Sequence, residues 1–135
     1  MTYPIADITS IAPGLRARLK EVGIRTTARL IERAKCPKDR QALASKIDID
    51  PKIVLQIANL ADRMRIKGVG QEYAELLRAA DVDTVHELCY RNPANLVRKM
   101  AAVNAEGKLV RVLPSEPMIQ RWIEQAKKLP LKITY

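Results

Sequence analysis

Ile66-Lys67-Gly68-Val69-Gly70-Gln71-Glu72-Tyr73-Ala74-Glu75-Leu76-Leu77, continuing as Arg78-Ala79-Ala80-Asp81-Val82-Asp83-Thr84, is the stretch on which the fold turns. Two glycines bracket one apolar residue and open an amphipathic helix that carries Tyr73, Ala74 and Leu77 on its inner side. Asp81-Val82-Asp83 breaks this helix, with Val82 as an apolar plug in the turn. Thr84 is followed three residues later by Glu87, the spacing of a capping box that starts a second helix.

Sliding the chain by 58 positions brings an earlier stretch into ungapped register with this one. Ile8 falls on Ile66, Ile11 on Val69, Leu19 on Leu77, Ile24 on Val82, Thr26 on Thr84 and Leu30 on Leu88. A unit of two short helices and a turn is therefore duplicated, with inserted material between the copies. The second copy looks like a helix-hairpin-helix motif, whose signature is apolar-Gly-apolar-Gly, then Ala, then Leu. In the first copy Ser10 and Ala12 stand where the second has Gly68 and Gly70, and Gly23, a natural left-handed helix stop, stands at Asp81.

Outward from the two units, four further helices are expected. Pro37 starts one through Leu43, Ala44 and Ile47; Asp50 caps and Pro51 opens another with Ile53, Val54, Ile57, Leu60 and Ala61 at helical spacing. Asn92-Pro93 starts a third through Leu96, Val97 and Met100, and Ser115 a fourth with Ile119, Trp122, Ala126 and Leu129. Residues 104–114 read equally as a helical turn or an extended segment, and 131–135 as an extended tail that packs back on the body. The expectation is an all-α chain, with a first lobe over 1–62 that carries two extra helices and a second lobe over 63–135 with C-terminal helices.

Apolar residues make up 47% of the 135 positions, enough for a core, but Phe is absent and aromatics are only 4%. Leu, Ile, Val, Ala and Met must carry the packing, which suits interlocking helices. The formal net charge is +9, from 24 Lys+Arg against 15 Asp+Glu. Such an excess concentrates polyanions near the surface. It is unevenly spread: residues 1–60 hold eleven basic and six acidic groups, 61–95 five and six, and 96–135 eight and three. Cys36 and Cys89 are isolated and read as reduced core residues. The N-terminus lacks a basic and an apolar leader region, and no apolar run approaches the ~20 residues of a spanning helix. A cytoplasmic protein without a membrane partner is expected.

Across nearly the whole chain the sequence resembles the bacterial family catalogued as domain of unknown function 4332. The resemblance is carried by Met-Arg-Ile-Lys-Gly-Val-Gly-Gln-Glu-Tyr (64–73), Val-Asp-Thr-Val-His-Glu-Leu (82–88), Arg-Asn-Pro-Ala-Asn-Leu (91–96) and Trp-Ile-Glu-Gln-Ala-Lys-Lys-Leu-Pro (122–130). It implies a tandem helix-hairpin-helix fold and no particular activity. Helix-hairpin-helix units elsewhere bind DNA through its backbone without sequence preference, or serve as interaction modules.

Chemistry follows the same two directions. Gly68 and Gly70 lack a Cβ, and the helix beginning near Gly70 has orphan amides at the positive end of its dipole, so a phosphate has a place to approach. On this reading the nucleic-acid-binding residues are Lys67, Gly68, Val69, Gly70 and Gln71, joined by Arg16, Arg18, Lys20, Arg25 and Arg29 of the basic first lobe. The partner is nucleic acid, DNA rather than RNA; the alternative is a protein, bound by the same hairpins acting as an adaptor. Charge and glycines are divided between the lobes, so only a composite surface joins them. His86 and Cys89 are the one pair at metal-ligand spacing and lack the about four ligands zinc needs. The fifteen carboxylates come with no nucleophile motif or Walker-type loop. A non-enzymatic module without metal or cofactor is expected.

Overall fold

The computed structural model describes residues 2–135. After a single 3-10 turn at Ile5–Asp7, eight α-helices follow: α1 (Pro13–Glu21), α2 (Thr27–Arg33), α3 (Pro37–Ile47), α4 (Pro51–Arg63), α5 (Gln71–Ala79), α6 (Val85–Leu88), α7 (Pro93–Gly107) and α8 (Glu116–Lys128). Among the described residues there is no β-strand, only one antiparallel bridge between Pro4 and Thr26. The chain is all-α. Its starts fall where the sequence places them: Asp50, Asn92 and Ser115 accept hydrogen bonds from the amides of Lys52, Asn95 and Met118.

The stretches 58 residues apart carry the same local bonds. α1 and α5 are each nine residues long. Both end in a Schellman turn: Gly23 N donates to Lys20 O and Ile24 N to Leu19 O, as Asp81 N donates to Arg78 O and Val82 N to Leu77 O. Gly23 (φ 83°) and Asp81 (φ 66°) take the left-handed conformation that the turn requires. The Thr26 hydroxyl accepts from Arg29 N and that of Thr84 from Glu87 N. Glu87 reaches back one residue before the cap, to Asp83 N at 2.9 Å. Arg33 and Arg91, also 58 apart, donate to the turn carbonyls of Val22 and Asp81. The turns into the helices differ: Gly68 is left-handed (φ 95°), while Ser10 is not among the positive-φ residues.

Two backbone groups are satisfied at equivalent positions by different means. The residues ahead of α1 serve the first pair with their own backbone: Ile5 N donates to Arg25 O at 2.8 Å, and Tyr3 O accepts from Thr27 N at 2.9 Å. The matching residues before the second pair lie in α4, whose backbone is consumed by its own helix. Side chains take over. Arg63 Nη1 donates to Asp83 O at 2.8 Å and its Nε to Ala74 O at 2.8 Å, while Asp62 Oδ2 accepts from Val85 N at 2.9 Å. Both residues are buried, at 2% and 3% exposure. Burial holds the Arg63 guanidinium below its ordinary pKa, although the neighbouring carboxylates of Glu75, Asp83 and Asp62 pull the other way. The boundary at 62/63 expected from the sequence thus falls inside α4, in residues that serve the second pair.

α2 and α3 pack on α4, as α6 and α7 pack on α8, and α5 touches both α4 and α7. α4 thus stands to α2 and α3 as α8 stands to α6 and α7, whereas the packing of α5 on α7 has no comparable counterpart between α1 and α3. One continuous apolar core runs through the molecule, including Leu19, Ile24, Leu30, Met64, Leu77 and Met100. Ile53, expected on the inner stripe of α4, is 40% exposed. α7 ends at Lys108 in the left-handed conformation, and 108–114 continues without helix. There Asn104 holds Val110 through paired bonds to its N and O. The tail returns to the first half: Ile133 is buried, Thr134 N donates to Lys35 O, and buried Arg40 donates to Thr134 O.

Candidate nucleic-acid interface

The second turn, between α4 and α5, is largely committed to the fold. Gly68 adopts φ 95°, and a Cβ built there meets Trp122 Nε1 at 3.4 Å. Its glycine is explained by the left-handed turn, while the buried indole, in ordinary contact distance, also lies 5.4 Å from the Tyr73 ring. Gln125 on α8 takes both backbone groups of Lys67, whose side chain stays at the surface. Val69 is fully buried, and its carbonyl accepts from the Tyr3 hydroxyl at 3.4 Å. Gly70 is different. It has an ordinary φ of −85°, and a Cβ there meets nothing within 4 Å. Gly68→Ala is expected to cost about 1–2 kcal/mol through the left-handed backbone. Gly70→Ala should stay within about 0.5 kcal/mol of the parent; urea midpoints measured side by side would check the contrast.

Gln71 joins the two turns. Its Oε1 accepts from Thr9 Oγ1 (3.2 Å), Ser10 N (3.3 Å) and Ser10 Oγ (3.2 Å), and its Nε2 donates to Asp7 O at 3.4 Å. The start of α5 thus lies against the turn that leads into α1. Neither helix has a side-chain N-cap, at Ala12 or at Gly70. α5 carries Glu72 in its first turn, an intramolecular anion already placed at the dipole's positive end; α1 has no acid there.

The first-lobe cations divide into two groups. Arg16, Lys20 and Arg25 line one groove of about 380 Å³. Its floor is apolar, from Pro4, Ile5, Ala6, Pro13, Ala17 and Ile24, and no acid lines it. Arg16 Nη1 donates to Ala6 O at 2.8 Å, which fixes the guanidinium at the wall, and its Nε is the one buried side-chain nitrogen or oxygen without a hydrogen-bond partner among the described residues. Lys20 and Arg25 are exposed and hold no ion pair among the described residues. The other two expected residues are turned to structural work. Arg18 Nη1 donates to the carbonyls of Ile47 and Asp48 at the end of α3, and Arg29 pairs with Glu32 at 3.0 Å. Of the expected first-lobe cations, Arg16, Lys20 and Arg25 line this groove, and Arg18 and Arg29 lie outside it.

Sequence reasoning missed the groove floor, because residues 4–6 lie outside any periodic segment. Nor does the charge tally over 61–95 disclose that Arg63 is buried in hydrogen bonds to carbonyls. His86 is exposed beside Tyr90, and half-buried Cys89 donates to the His86 carbonyl. Cys36, expected in the core, is the half-buried N-cap residue of α3. Among the described residues no group of three or more His, Cys, Asp or Glu gathers where a metal ion would sit, and no helix is long and apolar enough to cross a membrane. Neither a curated protein nor a solved structure matches the chain. A family model does, described as Domain of unknown function (DUF4332), over residues 9–129. That span includes both helix pairs, the stitching Gln71 and most of the groove, and the chain belongs to this family.

Proposed function

We propose that the protein binds the sugar-phosphate backbone of DNA without reading its sequence, and that the pairs α1–α2 and α5–α6 are helix-hairpin-helix units. The observation that carries this reading is the gathering of Arg16, Lys20 and Arg25, with no acid, around one groove. The groove adjoins the uncapped start of α1. The rim offers hydrogen-bond donors and positive charge, which match phosphate oxygens. Gly70 adds an open main-chain approach on the neighbouring turn. The protein acts by binding and carries no catalytic role. Free Cys36 and Cys89 accord with the reducing cytoplasm.

Affinity dominated by phosphate contacts must fall with salt. If three phosphates are neutralised, the Kd for duplex DNA should rise about 40-fold between 50 and 200 mM monovalent salt, irrespective of sequence. Anisotropy titrations of two unrelated duplexes would show this; a flat salt response, or no binding at low salt, sinks the reading. The second reading, an adaptor for a protein, draws on the 108–114 segment, where Val112 (71%) and Leu113 (41%) are exposed. Val112→Ser with Leu113→Ser should leave DNA binding unchanged; loss of binding would transfer the interface to that segment.

A further inference from the structure

We infer that the protein holds one backbone strand through its first helix pair alone, its second pair being closed to DNA by the side chain of Arg63. This rests on the DNA-binding reading and extends it to the form of DNA that is bound: no second strand is needed. The groove has a counterpart 58 residues further along the chain. Its lining residues Ile5, Arg16 and Arg25 fall on Arg63, Ala74 and Asp83. Those are the residues that Arg63 itself joins, from Nε to Ala74 O and from Nη1 to Asp83 O. At 2% exposure, the arginine fills the place that the first pair keeps open.

The difference has a main-chain cause. Ile5 N already serves Arg25 O, so no side chain has to enter the first cleft, and Ile5 supplies only apolar floor. At the second pair the backbone of α4 is consumed by its own helix, and the Arg63 side chain enters to reach Asp83 O. Electrostatics invert with the occupant. Ala17 and Arg25 of the groove fall on Glu75 and Asp83, whose carboxylates attract the buried guanidinium. A phosphate there would have to displace a hydrogen-bonded arginine and then face two like charges. At the first pair it meets three cations and no acid. A single groove follows a single strand, paired or not.

The test compares oligothymidylate, which does not pair with itself, with a mixed-sequence duplex of equal length. The single strand should bind within about tenfold of the duplex at 50 mM salt, a gap that its sparser condensed counterions account for. Two double variants then remove the same charge from each unit: Lys20→Ala with Arg25→Ala, and Lys67→Ala with Arg78→Ala, all at exposed positions. The first should flatten the slope of log Kd against log salt by about 1.8 on the duplex and about 1.4 on the single strand. The second should leave both slopes unchanged and weaken binding less than about threefold. Both should melt with the parent. Equal flattening by the two variants, or a single strand bound roughly 100-fold more weakly than the duplex, overturns the one-strand grip and leaves the DNA reading standing. No binding of either form at low salt overturns the DNA reading itself.

Discussion

Arg63→Met should destabilise the protein by about 3–5 kcal/mol and lower its melting temperature by roughly 10–20 °C. Methionine retains most of the apolar volume of the arginine stem, so the change isolates the guanidinium. What is lost is specific: the bonds from Nε to Ala74 O and from Nη1 to Asp83 O, both in a site where the residue is 2% exposed. Hydrogen bonds from a charged donor contribute about 1.5–3 kcal/mol each, and the Asp83 carbonyl has no substitute donor inside the protein. Burial already holds this guanidinium below its ordinary pKa, but arginine stays protonated across the working range, so no pH adjustment relieves the site. Arg63→Lys recovers at most part of the loss, because an ammonium lacks the fixed planar spread of donors with which Nε and Nη1 reach two separate carbonyls. Chemical denaturation of the three proteins would decide it. A loss below about 1 kcal/mol for Arg63→Met would mean that the clamp on the second pair is ornamental.

Arg63 also marks the limit of what the sequence discloses. The 58-residue register was legible because burial imposes it: Leu19 and Leu77, Ile24 and Val82, Leu30 and Leu88 each sit at 0–1% exposure. The Schellman turns were legible through Gly23, and Thr26 and Thr84 through their oxygens. The equivalence of Arg33 and Arg91 was also on the page, as identical residues in register, and passed unused because surface arginines are common. Arg63 was not legible. Its counterpart in register is Ile5, and the two meet the same carbonyl position by unlike means, a side chain in one place and a main-chain amide in the other. No periodicity encodes that exchange, which depends on α4 being helical where Tyr3 and Pro4 lie outside any helix and Ile5 only opens a 3-10 turn.

The same limit governs the candidate site. Basic composition identified the first lobe as cationic, but a helix distributes its side chains around an axis, and spacing alone could not say which of them converge. Arg16 and Lys20 are four apart and share a face. Arg18 lies between them and turns to the end of α3. The glycine pair splits into one residue demanded by its left-handed φ and one left open.

Replacing Arg16, Lys20 and Arg25 together by alanine should therefore abolish most DNA binding, with a loss of roughly 10²–10³-fold at 50 mM salt and a slope of log Kd against log salt shallower by about 2.7. The argument needs a control for bulk charge, since the chain carries +9 and any lost cation weakens attraction to a polyanion. Arg18→Ala with Arg29→Ala supplies it: these positions lie in the same lobe, yet one serves α3 and the other pairs with Glu32. Their loss should weaken binding less than about threefold and leave the slope nearly unchanged, because a phosphate contact, not a distant charge, sets the counterions released. Lys20 and Arg25 are exposed, so the triple variant should fold; Arg16→Ala gives up one bond to Ala6 O, a cost of about 1 kcal/mol that a melting curve would register. Equal weakening by the double and the triple variants would reduce the interface to a diffuse positive surface. A triple variant that binds like the parent would remove the groove from DNA recognition altogether, and the exposed aliphatic segment at 108–114 would become the surface to pursue.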